Sequence, residues 1–532
     1  MIHLKWTGSP REISFDIKGM SDKLRNTAVP CYVVKDLSGR TGITNTGTIQ
    51  SEGNGLFLKA IVPALTAEDL GDASFKEDYQ LKYAYKAGAM ANGIASTDMV
   101  IALGKNQMMG SFGAAGMIPS RVKEAIATIQ KALPTQAYAC NLIHSPIEKA
   151  LEEGAVNLYI EHGVKVVEAS AYMNLSEQIV KYRAVGLSVD VKGEIVIANK
   201  VIGKVSRKEV AERFMSPAPI QFLDKLLAAK KITQQQYELA QKVPMADDIT
   251  VEADSGGHTD NRPLVVLFPI ILQLRDEIQK KYQYKKQIRV GAAGGIGTPA
   301  SALAAFAMGA AYVVTGSINQ ACIESGTSDR VKELLSKVAS TDVTMAPASD
   351  MFELGVELQV LKRGTLFGAR AKKLYETYNR YESIDAIPED KRLKLETKTF
   401  KMPLEQVWDG CVSFFEERDP EQIEKAKGNP KRKMALIFRW YLGLSSNWAN
   451  AGVPDRVMDY QIWCGPAMGA FNEWTKNSYL SQAKNRKVAD IANHLLEGAA
   501  YLHRINTIKN QGVDLPLELL HVDIEDKQLI MA

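Results

Sequence analysis

The chain has little cysteine, and what it has is badly placed for a scaffold. Cys31, Cys140, Cys322, Cys411 and Cys464 are odd in number, widely spaced and form no CxxC pair. Neither a disulfide framework nor a structural zinc site is expected, and a reducing compartment fits best. Long apolar runs are missing too. The longest, Pro263 to Leu274, is about twelve residues and stops at Arg275-Asp276. A bilayer span needs ~20 residues, so this run reads as a buried helix. The opening Met1-Ile-His-Leu-Lys-Trp6 has no apolar block of the signal-peptide kind. A cytoplasmic protein without membrane attachment is the expectation. Charge of one sign is also lacking: 65 basic residues stand against 61 acidic ones, a net +4, which gives no reason to expect a nucleic-acid partner.

What is present is ordinary globular composition, 46% hydrophobic and 24% charged, over a length of 532 residues that calls for two or more domains. Residues 1–78 show no clean period. They hold extended pieces such as Cys31-Tyr-Val-Val-Lys35 and turn clusters such as Ser51-Glu-Gly-Asn-Gly55, and read as an N-terminal appendage. Residues 79–375 alternate strand-like runs with helical ones. The strands are predicted at Lys86–Met90, Met108–Phe112, Gln136–Leu142, Lys165–Ala169, Lys200–Val205, Asp248–Glu252, Ile288–Ala293 and Ala311–Thr315. Helices are predicted between them at Pro119–Leu133, Ser176–Val185 and Leu264–Lys280. Eight such units over roughly 250 residues suit a (β/α)8 TIM barrel, although a doubly wound open sheet has the same rhythm. Two insertions interrupt it. Leu187–Asn199 reads as a hairpin turning at Lys192-Gly193. Within 207–245, Gln221–Lys230 and Thr233–Lys242 read as a helical pair, expected over the barrel mouth. From 376 to 532 the rhythm ends. Helical patterns and five of the six tryptophans (Trp408, Trp440, Trp448, Trp463, Trp474) predict a helical C-terminal domain packed on the barrel. The basic loop Lys427–Lys433 reads as a solvated turn, with carrier-protein docking as the lesser alternative.

Gly291-Ala-Ala-Gly-Gly-Ile-Gly-Thr-Pro299 follows a predicted strand and opens a helix, with Thr298 as N-cap and Pro299 at the first helical position. Glycines let backbone N–H groups approach an anion, and a helix N-terminus favours negative charge. A second element, Gly309-Ala-Ala-Tyr-Val-Val-Thr-Gly-Ser317, ends the eighth predicted strand. Loops after strands seven and eight are the usual phosphate site of such barrels, so Gly294, Gly295, Gly316 and Ser317 are candidate phosphate ligands. The pattern is neither a P-loop nor a dinucleotide fingerprint.

Asp248-Ile-Thr-Val-Glu-Ala-Asp-Ser-Gly-Gly-His-Thr-Asp260 ends the sixth strand with two glycines and one of only seven histidines. Catalytic groups of barrels gather at strand C-termini. His258 is therefore the candidate to donate to an oxyanion or supply a proton, against the alternative of a surface loop histidine. The first strand exits through Gly88-Ala-Met-Ala-Asn-Gly93, small residues on which a flat ring can rest, making Met90, Ala91 and Asn92 candidates. Asn141, at the third exit, can hydrogen-bond a ring edge. Strand alternation turns Cys140 away, as packing. His144 reads equally as a polar group at the mouth or a strand terminator. Lys204, near the fifth exit, is either a positive charge beside a cofactor or a solvated lysine.

These stretches resemble the FMN-binding barrel shared by nitronate monooxygenases and flavin-type enoyl-carrier-protein reductases of the FabK class. Over nearly the whole chain the sequence resembles the PfaD family, the stand-alone enoyl reductases of polyunsaturated fatty acid and trans-acyltransferase polyketide synthases. The resemblance rests on the segments quoted above together with Asn141-Leu-Ile-His-Ser-Pro146, Thr315-Gly-Ser-Ile-Asn-Gln320, Met345-Ala-Pro-Ala-Ser-Asp-Met-Phe-Glu-Leu-Gly355 and Asp459-Tyr-Gln-Ile-Trp-Cys-Gly-Pro-Ala-Met-Gly-Ala-Phe-Asn472.

The resemblance implies bound FMN, NADPH as reductant with NADH as the alternative, and an enoyl thioester carried on an acyl carrier protein of a polyketide or fatty acid megasynthase. It implies hydride delivery to the β-carbon, with His258 stabilising or protonating the enolate. Lys204 would then lie beside the reduced flavin. Competing readings are a nitronate monooxygenase and a non-catalytic assembly subunit. A homodimer is the default assembly.

Overall fold

The computed structural model describes residues 4–51, 55–146 and 149–524. Positions 52–54 of the predicted turn cluster, the first three residues of the chain and the end of the predicted C-terminal domain beyond 524 lie outside the described residues.

Eight parallel strands close a barrel: β1 (Tyr85–Ala87), β2 (Met109–Phe112), β3 (Ala139–Ile143), β4 (Val166–Ser170), β5 (Lys200–Val205), β6 (Asp248–Glu252), β7 (Arg289–Ala293) and β8 (Val313–Thr315). Each lies on one of the eight predicted runs. β8 pairs back onto β1 through Val313↔Tyr85, Val314↔Lys86 and Thr315↔Ala87, so the sheet is closed and the doubly wound alternative is eliminated. Strands buried on both faces read as continuous apolar runs between helices that each bury one stripe, which is why the rhythm was legible. The helix Pro119–Ala132, for instance, buries Val122, Ala125, Ile126 and Ile129.

The barrel floor is closed by a helix that falls within the predicted appendage. Asp72 caps Ala73–Tyr79, whose Phe75 stacks on Tyr312 with ring centroids 4.2 Å apart. Tyr79 Oη donates to Asp248 Oδ2 at 2.5 Å, and Arg289 Nε donates to Asp248 Oδ1 at 2.6 Å. The rest of the N-terminal region is an antiparallel five-stranded sheet, in the order Thr41–Thr44, Cys31–Lys35, Leu56–Val62, Lys5–Thr7, Thr48–Gln50.

Several expectations need correction. The helical pair is present as Ile220–Ala228 and Gln234–Ala240, but it does not cover the mouth. Its buried Leu223, Leu226, Leu239 and Ala240 pack beside the helix Glu177–Val185 and the hairpin Leu187–Val189/Ile195–Ile197, which precedes β5 at the opposite end of the barrel. The predicted buried helix is Leu264–Tyr282 and is buried on one stripe only: Leu267, Phe268, Ile271 and Leu274 are inside, while Val265 and Val266 are 67% and 55% exposed. The basic loop is not a freely solvated turn. Lys431 Nζ donates to the carbonyls of Tyr378 and Tyr381, and Arg432 pairs with Glu353.

After the barrel the chain forms an unforeseen ribbon, Val343–Pro347 against Glu357–Leu361. Helices from Phe367–Arg380 to Pro430–Ala451 then build a separate core around Phe352, Phe367, Phe400, Phe438 and Tyr441. The last segment returns to the barrel: helix Ala467–Thr475 lies beside the β8 exit, and Val488–Asn510 packs between Pro299–Ala307 and the N-terminal sheet. No helix among the described residues is long and apolar enough to cross a membrane.

Candidate active site

The strand exits gather the predicted residues at one end of the barrel. Beneath them the interior is polar. Lys86 of β1 reaches Glu168 of β4, and both side chains are shielded from water. Ser111 Oγ donates to Glu168 Oε2 at 2.8 Å and Ala89 N–H to Glu168 Oε1 at 3.3 Å. Burial, with the Lys204 charge nearby, pushes the Lys86 ammonium well below its ordinary range. Lys204 Nζ donates to Glu252 Oε1 at 2.8 Å, so Lys204 is an ion-paired residue at the mouth and not a solvated one. Asn141 is buried, and its Nδ2 is already shared between Glu168 O and Ser170 Oγ, leaving the side-chain oxygen as its uncommitted group.

His258 is on a strand. Gly257–His258 pairs antiparallel with Gln359 and Leu358, so the post-barrel ribbon carries the histidine as a third strand. Gly257 adopts φ +82°, the left-handed backbone that glycine tolerates best. The neighbouring Gly256 lies against Cys464, whose backbone N would sit 2.7 Å from any Cβ there. Gln359 Nε2 ties this turn down through Asp254 Oδ1 and Ser255 O, both at 2.7 Å. His258 Nε2 lies 3.2 Å from Asp350 Oδ1. Partial burial would lower the imidazole pKa, but the Asp350 carboxylate outweighs it and holds the group above its ordinary 6.5. Asp350 correspondingly stays below the ordinary carboxylate range despite its burial.

The glycine loops leave a hollow. A Cβ at Gly295 or Gly316 would meet no atom within 4 Å. Ser317 Oγ accepts from Gly465 N–H at 2.9 Å, which leaves the hydroxyl proton to donate. Ser255 Oγ, on the segment that runs beside Gly465 and Gly294, is buried without a hydrogen-bond partner. Thr298 caps Pro299–Ala307 in a capping box with Ser301 and aims that helix at the hollow. Donors, an open cradle and a helix N-terminus fit a phosphate group.

The remaining predicted residues divide. Met90 and Ala91 line the β1 exit. Asn92, at φ +57°, turns toward the C-terminal helices, where its Nδ2 donates to Ser446 Oγ at 3.2 Å. His144 is held by Glu152 at 3.1 Å and stacks on Tyr172. All five cysteines are buried; burial pushes the Cys464 thiol, beside the hollow, up to about 12, which removes it as a nucleophile. Asp350, Ser255, Gln359 and the Lys86–Glu168 pair were missed. Asp350 does lie in the Met345–Gly355 stretch of the family resemblance, but no local pattern joins it to His258.

Two family models match parts of the chain: "Fatty acid synthase subunit PfaD N-terminal domain" over residues 6–64, and the inserted helical domain of acyl-carrier-protein S-malonyltransferase over residues 381–460. The enoyl reductase domain of MlnA from the macrolactin biosynthesis cluster of Bacillus amyloliquefaciens superposes with a TM-score of 0.79 at 41% identity, covering 83% of this chain and 99% of that one. The chain belongs to the PfaD-like enoyl reductase family. Among curated PfaD-like relatives, a polyunsaturated fatty acid synthase polypeptide of a Thraustochytrium species is 48% identical over 95% of this chain. The polyketide biosynthesis protein PksE of Bacillus subtilis is 50% identical over 82%. The chain spans only 34% and 57% of their respective lengths.

Proposed function

We propose that this PfaD-like chain is an FMN-dependent enoyl reductase. It saturates the 2,3 double bond of enoyl thioesters borne by an acyl carrier protein, with NADPH or NADH as reductant, in polyunsaturated fatty acid or polyketide synthesis. The observation that carries the reading is His258, held by Asp350 on a strand at the β6 exit, beside the open phosphate hollow of β7 and β8. FMN, when bound, supplies the hydride relay between the dinucleotide and the β-carbon. Gly294, Gly295, Gly316 and Ser317 would hold its phosphate, with Met90, Ala91, Asn92, Asn141 and Lys204 around its ring.

The chemistry left to the protein is charge and proton management on the thioester. Hydride arrival at the β-carbon leaves negative charge on the thioester oxygen and the α-carbon. Asp350, a carboxylate, accepts from His258 Nε2–H, which leaves Nδ1 as the nitrogen that meets substrate. A raised pKa keeps Nδ1 protonated near neutrality, so His258 can stabilise the enolate oxygen or pass its proton to the α-carbon. The paired Lys204 and Glu252 add local polarity without an uncompensated charge.

The test is an anaerobic titration followed by visible absorption. A yellow protein should bleach with NADPH and regain colour with a 2-enoyl pantetheine thioester. Protein that stays colourless after reconstitution with FMN, or recovery with a nitronate alone, would refute the assignment.

A further inference from the structure

Gly443 lies in the middle of the helix Pro430–Ala451, where glycine is the poorest helix former among ordinary residues. Packing accounts for other helical glycines. A Cβ at Gly498 would come 2.6 Å from Pro299, and one at Gly368 would come 2.9 Å from Thr344. At Gly443 a Cβ would meet nothing within 4 Å, although the residue is half-buried. No part of the described chain requires the missing methyl group.

The flanking residues say which way this face points. Positions 439, 443 and 446 share one side of the helix. Ser446 Oγ accepts from Asn92 at the β1 exit, at 3.2 Å. Arg439, nine-tenths buried, faces Glu353 at 3.5 Å, and its Nη1 has no hydrogen-bond partner. Glu353 belongs to the same short turn as Asp350, the partner of His258. The gap at Gly443 therefore opens between the helix and the barrel mouth, bounded by Arg439, Ser446 and Asn92, with the His258–Asp350 pair beyond.

We infer that this gap is the channel for the pantetheine arm of the thioester substrate, with Gly443 keeping it open and Arg439 Nη1 donating to an amide carbonyl of the arm. The inference rests on the enoyl reductase reading. A lining of guanidinium, hydroxyl and carboxamide suits an uncharged arm with two amides better than an alkyl chain, which would leave these groups unpaired. Absence of a side chain at 443 lets the arm lie against the helix backbone.

The experiment measures binding, not turnover, so it remains informative if the reductase reading fails. Calorimetry would compare saturated butyryl-pantetheine with butyryl-N-acetylcysteamine, which lacks the outer half of the arm, on the wild-type chain, Gly443→Ala, Gly443→Phe and Arg439→Met. Butyryl-pantetheine binding should weaken by about tenfold or more in Gly443→Phe and several-fold in Arg439→Met. The advantage over the truncated ligand should disappear in both. Gly443→Ala should raise the thermal midpoint, as expected of a helix gaining alanine, and serves as the folding control. Unchanged butyryl-pantetheine binding in Gly443→Phe overturns the channel, and so does loss of NADPH binding with acyl-pantetheine binding intact. Wild-type protein that binds butyryl-pantetheine but never reduces the crotonyl thioester would sink the enzymatic reading and leave the channel standing.

Discussion

His258 Nε2 and Asp350 Oδ1 stand 3.2 Å apart although 92 positions separate them in the chain. One sits at the end of a barrel strand, the other on a turn of the ribbon that follows the barrel, and the antiparallel pairing of Gly257 with Gln359 brings them together.

The first prediction concerns that pair. If His258 acts in its protonated form, kcat/KM should fall as pH rises through its pKa, which lies above 6.5. Asp350→Asn removes the carboxylate that raises it, so the alkaline limb should move down by about one unit. A pH–rate profile of the two proteins checks this; an unmoved limb would show that another group controls it.

The phosphate hollow yields a second. Gly316 has φ −132°, where any residue is comfortable, and its Cβ would point into empty space. Gly316→Val should therefore fold normally and lose FMN. Ser317→Ala should weaken FMN by about tenfold, the usual scale for one hydrogen bond to a charged group. Quenching of free FMN fluorescence on binding measures both.

Inside the barrel, Glu168→Gln should strand Lys86 without its counter-charge and destabilise the fold by about 3 kcal/mol. The sign of the pH dependence follows from the direction of the lysine shift. Its folded-state pKa lies below the ordinary 10.5, so protons bind more tightly to the unfolded chain. Stability of the variant should rise with pH toward the ordinary lysine range and fall as pH drops through the folded value. Lys86→Met combined with Glu168→Gln should recover most of the loss. Urea unfolding at neutral and alkaline pH tests each step.

At the floor, Arg289→Met leaves the fully buried Asp248 without its cation and should cost about 3–5 kcal/mol, whereas Tyr79→Phe removes one hydrogen bond and should cost only about 1–2 kcal/mol. Thermal unfolding ranks the two; equal losses would mean that the floor helix, and not the ion pair, dominates.

The barrel strands, the location of the phosphate hollow and the position of His258 were all legible in the sequence. They depend on signals only a few residues long: apolar runs separated by helical periods, a glycine loop ending in Thr298-Pro299, and Gly256-Gly257 just past the sixth strand. The hairpin turn at Lys192-Gly193 was legible for the same reason. What meets these elements emerged only from the three-dimensional packing. Asp350 reaches His258, Gly465 reaches Ser317 and Tyr79 reaches Asp248 over separations of 92, 148 and 169 positions. Packing also moved the helical pair to the far end of the barrel and set a C-terminal helix over the mouth in its place. Local propensity and periodicity report which face of an element is apolar. They carry no information about which distant surface will cover it, and in this chain that long-range choice turns a strand exit with one histidine into a walled site.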